Sequence, residues 1–360
     1  MISTPSRTSP QGGRANLRAL FRLCSGGTLG AIAVSMAMAC GGAEAPDTGP
    51  TAIGGSGPSE TRPDGAATTG TLGNASITAY AGSGSPRFSG DGGLALEAGI
   101  FAPAGLALDR DGNLFLSTDK RIRRVEAATG IITTVAGSGS SLIIADDGPA
   151  IEAGFRDPRG LAVDGDGILF IADHGNGRIR RVDAATGIVT TVAGGAVPTA
   201  ALVKEIGDGG PADQSYVYEP MDVAVDSQGN LYVVSNHRIR KVDVASGIIS
   251  TVAGTGHRNL TGDGGPAVEA TIAEPEGVAV DASGNVYIAD TDNHRVRKVD
   301  AATGLMSTLA GVGMFQDRSG GNPIADFRRE GTGAGYSGDG GPASSAMLRL
   351  PSSLSVDPQG

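Results

Sequence analysis

Four times between Pro103 and Gly311 the chain runs through nearly the same series of blocks: P-x-G/D-L/V-A-L/V-D, then G-N-L/V-F/Y, then R-I/V-R-R/K-V, then a segment closing in S/T-T-V/L-A-G. The prolines that open the units, Pro103, Pro158, Pro220 and Pro275, stand 55, 62 and 55 residues apart, and Pro351 opens a fifth unit 76 residues later. A period of about fifty residues with several short strands in each belongs to a chain built from repeated supersecondary units. Every block is a short apolar or alternating run with β-branched residues, bounded by Gly, Asn, Asp or Thr, so each unit reads as four strands.

In the fourth unit the strands are expected at Gly277 to Val280, Val286 to Ala289, Val296 to Asp300 and Leu305 to Ala310. Asp281 to Asn285 joins the first two and Asp300 to Gly304 the last two, with Gly where a positive φ is needed. Four strands in meander order make one blade, and the fold class is therefore all-β: a β-propeller of four-stranded blades. The small, apolar G-L/V-A-V-D strand suits the innermost position. The R-I/V-R-R/K-V strand alternates basic and apolar residues and is expected further out, with one face wet. Arg121, Arg178, Arg238 and Arg295 recur at one place in it and are expected to pair with a repeated Asp between blades. The Gly-Asp-Gly-Gly segments at Gly90, Gly207, Gly262 and Gly338, with the variant from Asp146 to Pro149, lack the ligand spacing of phosphate or calcium loops. They are read as architectural, followed by a short helical turn with Pro at its start.

These blocks, together with N-L/V-Y-V/I-A-D and N-H-R-I/V-R-K-V, resemble NHL repeats in the long-loop variant of bacterial surface proteins, from roughly Ile77 to Gly360. The resemblance implies four complete repeats and a partial fifth, with about six blades in a closed ring. The fifth unit stops at Gly360, where its second strand should begin, so the chain is expected to be truncated at its C-terminus. Ile77 to Gly82 copies the last strand of a blade and is expected to complete the final blade. Copies one and three (STDKRIRR, VSNHRIRK) lack two turn residues that copies two and four (ADHGNGRIRR, ADTDNHRVRK) possess.

Residues 1–39 carry Arg7, Arg14, Arg18 and Arg22 and no acid, with an apolar stretch from Leu23 to Ala39, the charge pattern of a signal peptide. Ala37-Met38-Ala39-Cys40 resembles the bacterial lipobox, although Ala37 stands where Leu is usual. This implies removal of residues 1–39 and a lipid on Cys40. Cys24 lies in the removed part, which leaves Cys40 without a disulfide partner. Residues 40–73, rich in Gly, Ala, Pro and Thr, are expected to form a flexible tether, and residues 74–360 the propeller. The expected location is the bacterial cell envelope, as an exported outer-membrane or cell-surface lipoprotein that touches the membrane only through its lipid. The net charge of −10 becomes −14 once the four arginines are removed, and such a surface repels nucleic acid.

Propeller connectivity places the turns leading into the innermost strands on the same face as those joining the second and third strands. The first kind puts Asp157, Glu219 and Glu274 immediately before a proline, with Asp222 and Glu276 just beyond. The second supplies His174, His237 and His294, with Asp173, Asp290 and Asp292 nearby. Together they form a candidate binding rim and a candidate site for a single Ca or Zn ion at the channel mouth. The same residues also fit ordinary turn chemistry, which is the preferred reading. Gly195 to Ile206 and Gly313 to Gly335 are exceptional loops; the second carries the candidate recognition residues Phe315, Phe327, Arg328 and Arg329.

H-E-x-x-H and G-x-S-x-G are absent, and the 4% aromatic content without Trp disfavours a sugar-stacking surface. The expected function is a non-catalytic scaffold that binds a protein, peptide or cell-envelope ligand through its loop-rich face, with no cofactor assigned beyond that ion. Similar propellers imply an alternative, a metal-dependent enzyme: lactonase-like, using Asp157, Glu219 and Glu274, or amidating-lyase-like, using His174, His237 and His294.

Overall fold

The computed structural model describes residues 78–141, 145–196, 207–312 and 338–357. Cys40, the 40–73 segment and the candidate loop residues Phe315, Phe327, Arg328 and Arg329 lie outside the described residues. Four antiparallel sheets follow one another along the chain. The first is β1 (Pro103–Leu108), β2 (Leu114–Thr118), β3 (Arg121–Val125) and β4 (Ile132–Ala136). The second is β6 (Pro158–Val163), β7 (Leu169–Asp173), β8 (Arg178–Val182) and β9 (Ile188–Ala193), with the two-residue β5 (Gly148–Pro149) added beside β9. The third is β10 (Val223–Val225), β11 (Leu231–Ser235), β12 (Arg238–Val242) and β13 (Ile249–Ala253). The fourth is β14 (Gly277–Val280), β15 (Val286–Asp290), β16 (Arg295–Val299) and β17 (Met306–Ala310), within a residue of the boundaries expected from sequence.

The first strands β1, β6, β10 and β14 pack on one another and form the inner wall. Small residues are needed there: a Cβ on Gly105 would lie 2.2 Å from the Arg159 carbonyl oxygen of the next blade. Between blades lie apolar layers, in which Phe115 and Ile122 of the first blade share one cluster with Phe155, Leu161 and Ile171 of the second. The turn between first and second strands is built by its leading Asp. Asp281 accepts the backbone N–H of Ser283 and Asn285 (both 2.9 Å) and also the Asn285 amide (2.7 Å) and Tyr287 hydroxyl (3.0 Å). The Asn285 side-chain oxygen then accepts the Ala301 N–H at 2.9 Å, which fastens this turn to the one between the third and fourth strands. Where copy three lacks two residues, Asn236 and His237 both adopt positive φ (47° and 56°), as a two-residue hairpin requires.

The third strand departs from the expectation of a wet face. Its middle arginine, Arg123, Arg180, Arg240 or Arg297, is at most 1% exposed in each blade. Each pairs with the Asp of the preceding Gly-Asp-Gly-Gly segment or its variant: Asp91 at 2.7 Å, Asp146 at 3.0 Å, Asp208 at 2.6 Å and Asp263 at 2.8 Å. Three of the guanidinium groups also donate to the backbone carbonyls of Gly99, Tyr216 and Thr271, at 2.9, 2.9 and 2.8 Å. The arginines singled out from sequence, Arg121, Arg178, Arg238 and Arg295, are half-exposed neighbours; Arg121 and Arg295 reach the carbonyls of Ser138 and Val312 just past the blade. The sequence pattern named the right strand and an unspecified repeated Asp, which Arg178 and Arg295 do reach at 3.4 and 3.6 Å, but side-chain alternation could not say that the middle cation turns inward.

The Asp segment itself runs along the outer edge of its blade, where Gly92 donates to Ile132 at 2.8 Å and Ile132 to Gly93 at 3.0 Å. It continues into the short 3-10 turns Ala95–Glu97, Ala150–Glu152, Ala212–Gln214, Ala267–Glu269 and Ala343–Ser345. Each of the last four turns receives the glycine that ends the preceding blade, as Gly137 donates to Ala150 at 2.8 Å and Gly254 to Ala267 at 3.0 Å. The architectural role expected for Gly-Asp-Gly-Gly is thus realised as an interblade brace. Residues 78–82 make no strand, yet Gly82 donates to Ala95 at 2.7 Å, in the place of a blade's last strand. Pro351 to Asp357 likewise form no ladder, but Thr291 donates to the Pro351 carbonyl at 2.7 Å and sets this segment beside β14.

Removing one partner of a buried ion pair leaves an uncompensated charge, at a cost of about 3–5 kcal/mol. Asp263→Ala removes the nearer counter-charge of Arg297 but leaves Asp290 3.4 Å from the same guanidinium, so it is expected to lower the unfolding free energy by less than that, about 1.5–3 kcal/mol, and Arg295→Ala by less than about 1 kcal/mol. Urea denaturation of the two variants compares them, and equal losses would remove Arg297 from its place as the clamp.

Candidate binding face at the channel mouth

Every turn that leads into an innermost strand has the same backbone. The residue before the proline is left-handed in all five: Ala102 (φ 47°), Asp157 (53°), Glu219 (40°), Glu274 (43°) and Leu350 (48°). A side chain in this region costs about 1 kcal/mol or more, which the surrounding fold must offset. Ala and Leu adopt the turn as readily as Asp and Glu do, so the carboxylates are not what makes it. The side chains of Asp157 and Glu274 are 55% and 53% exposed.

The histidines are placed at the junctions between blades. His237 and His294, themselves at positive φ, accept the backbone N–H of Glu274 (3.1 Å) and Leu350 (3.0 Å) through Nδ1. That bond puts the proton of the neutral ring on Nε2, and burial holds both imidazoles below the ordinary histidine range. His174 uses Nδ1 toward the Pro220 carbonyl at 3.3 Å and sets Nε2 3.9 Å from Asp157. Each histidine thus latches one junction, and the three are spread one to a blade. No group of three or more His, Cys, Asp or Glu stands in metal-binding reach among the described residues.

Four of the other acids have roles that the sequence pattern merged. Asp173 and Asp290 are fully buried and accept the N–H of Arg156 and Ala273, at 2.9 and 2.8 Å, with Asn176 and Asn293 against their other sides. Burial raises both, Asp290 to about 6. Asp222 stands where the other complete copies have Gly105, Gly160 and Gly277. Its carboxylate accepts the N–H of Val223 (2.9 Å) and of Val278 in the next blade (3.0 Å). A Cβ on Gly160 would lie 2.0 Å from its Oδ1, so Gly160 makes room for it. Set deep among three inner strands, the Asp222 carboxyl is pushed up to about 7 by desolvation. Glu276 occupies the adjoining position, level with Arg159 and Met221 of the two preceding blades. It is half-buried, and burial raises its pKa against the pull of Arg159. Asp222 therefore belongs to the inner wall, and Glu276 to the mouth.

Two arginines and two tyrosines complete the face, and the sequence reading passed over them. Arg159 donates to Asp157 at 3.0 and 3.1 Å. Arg258 bridges Glu274, at 3.5 Å, and Asp292. Tyr218, 43% exposed, faces Glu219, which raises its phenol pKa, and its ring lies 6.1 Å from that of Tyr216. Arg159 was legible as the variable residue of P-R-G; Arg258 comes from a loop whose fold no local pattern foretells.

This architecture is that of an NHL propeller, and sequence comparison agrees. The NHL repeat family matches residues 155–182 and 273–299, and the teneurin NHL domain matches residues 201–261. The chain carries NHL repeats. Mouse teneurin-1 is 29% identical over 281 residues, 71% of this chain and 10% of that protein. Human NHL repeat-containing protein 2 is 30% identical over 203 residues, 54% of this chain and 28% of that protein. The chain thus spans a small part of these relatives. Among solved structures, an auxiliary nutrient binding protein from Bacteroides ovatus ATCC 8483 superposes with a TM-score of 0.46 at 15% identity, over 73% of this chain and 56% of that one.

Asp222 and Asp290 both have folded-state pKa values above the ordinary 3.8, at about 7 and about 6. The folded protein favours their protonated forms, so their contribution to stability is full below about pH 4 and is lost as pH rises through about 6 to 7. Asp222→Asn cannot titrate. Its unfolding free energy, measured in urea from about pH 4.5 to 8, is expected to fall less with rising pH than that of the parent. Parallel curves would mean that the Asp222 carboxyl is not desolvated.

Proposed function

We propose that this chain is a binding module of the cell envelope that holds a protein, peptide or envelope ligand at its acidic mouth, without turnover. The observation that carries this proposal is the display of Asp157, Glu219 and Glu274 on turns whose backbone Ala102 and Leu350 also adopt. Carboxylates not required by the turn, and held outward on a rigid wall, suit recognition of a ligand with basic groups. Tyr218 adds an exposed aromatic with a polar tip at the same rim.

Anchoring is assigned to a lipid on Cys40, after removal of residues 1–39, with 40–73 as the tether. No helix among the described residues is long and apolar enough to cross a membrane.

The double variant Glu219→Gln, Glu274→Gln is expected to weaken ligand binding about tenfold or more while its thermal unfolding stays within a few degrees of the parent. Envelope extracts serve as the ligand source, and unchanged retention by immobilised variant would move the site elsewhere. Cys40→Ser is expected to abolish membrane partition and to shift the size of the mature protein. Wild-type fractionation in the Cys40→Ser cells would rule out the lipid anchor.

A further inference from the structure

The outer edge of the first blade departs from the repeat at one position. In four of the five copies the 3-10 turn at that edge is preceded by a proline, Pro149, Pro211, Pro266 or Pro342, and the first copy has Leu94 instead. The backbone does not require the change, because Leu94 sits at φ −66° and ψ 134°, close to the −57° and 130° of Pro266. Proline at such a site lowers the entropy of the unfolded chain, so leucine forgoes that stabilisation. Its side chain is not drawn into the core either: Leu94 and Leu96, on either side of the buried Ala95, are both 51% exposed. Ile151, the counterpart of Leu96 in a blade flanked on both sides, is 57% exposed, so this is the outward side of the ring and no neighbouring blade covers it. Phe88, also exposed, lies on the run that leads to the same edge, with the Arg121 guanidinium 4.0 Å from its ring centre. Two further observations point to this blade. The chain that follows residues 40–73 enters the described fold at Thr78 and crosses this turn, where Gly82 donates to Ala95 at 2.7 Å and Ser83 to Ala98 at 2.8 Å. Charge also balances here: residues 78–141 carry six acids and six bases, whereas residues 145–196 carry eight and five, and residues 207–312 fourteen and seven.

We propose that the outer edge of the first blade is a lipid-contact surface, with Leu94 and Leu96 entering the headgroup region of the bilayer that anchors the chain and Phe88 at the margin of the contact. Two leucines alone give a weak affinity for a bilayer, since the attraction scales with the apolar area buried. The tether makes that affinity sufficient. A Gly-rich segment of its length spans roughly 30 Å on average, so the edge nearest its point of entry meets the bilayer at high effective concentration. Charge selects the blade: an acidic surface is held off by anionic headgroups, and the first blade carries no net charge. The outer edge of a blade points away from the ring axis, so this contact lays the axis along the membrane and leaves the channel mouth open sideways. The inference rests on the lipid anchor at Cys40 proposed above and adds to it the part of the fold that meets the bilayer.

The chain has no Trp, so a single introduced indole reports its own surroundings. Leu96→Trp and Val268→Trp place one at equivalent positions of the 3-10 turns of the first and fourth blades. Each full-length variant is taken from the membrane fraction into vesicles of phosphatidylcholine or of its brominated form, whose bromines quench an indole that enters the bilayer. Leu96→Trp is expected to lose about half of its emission in the brominated vesicles, and Val268→Trp less than about a tenth. Adding Leu94→Pro to Leu96→Trp is expected to reduce the quenching about twofold and to leave the urea midpoint unchanged or higher. Equal quenching at the two positions, or none at either, in protein that still fractionates with membranes would overturn the proposal and leave the anchor standing. A lowered midpoint on adding Leu94→Pro would give Leu94 a structural role and overturn it as well. A parent protein that stays out of the membrane fraction would remove the anchor, and this contact with it.

Discussion

One buried ion pair per repeat governs this structure. The third strand of each blade turns an arginine inward, and the guanidinium takes its counter-charge from an Asp carried by the segment that crosses the outer edge of that same blade. Burying such a charge is expensive unless its donors are met, and here backbone carbonyls of the lead-in segment meet most of them. The guanidinium therefore does more than neutralise an acid. It fixes the course of the chain from the outer edge of a blade back to its inner strand, and so sets where each lead-in turn emerges. Because the 3-10 turn in that segment also receives the last residue of the blade before, one ion pair orders the junction between two blades.

The binding face inherits its geometry from that order. Left-handed residues before the prolines are held at one level around the inner wall, and the histidines of the second turn type pin two of them through Nδ1. Where a repeat supplies an acid at this level, the acid is displayed; where it supplies Ala102 or Leu350, the same turn displays nothing charged. The repeat thus separates scaffold from specificity. Asp222 marks the limit of that separation, since an acid in the glycine place of the inner strand is drawn into the wall and bonds the backbone of the next blade.

Charge balance at the mouth is also a product of folding. Asp157 and Glu274 each meet an arginine, Arg159 two residues on in the sequence and Arg258 from the loop after β13. Glu276 meets none among the described residues, which distinguishes it from acids of identical local context.

The sequence by itself determined the repeat period, the four strands of each blade to within a residue in the fourth, the meander order and the architectural use of Gly-Asp-Gly-Gly. These follow from hydrophobic period and turn chemistry, which are local and recur in every copy. It also put Asp157, Glu219, Glu274 and the histidines on one face, because connectivity alone fixes which turns share an end of a blade. Only the tertiary structure decided which arginine of R-I-R is buried, since alternation along a strand cannot tell which face another segment will cover. Likewise, only the packing of three inner strands separated Asp222 from Glu276, and only the return of a distant loop brought Arg258 to its acids. Desolvation and charge pairing depend on what surrounds a side chain in space, and neighbours from other blades are not written in the few residues around it.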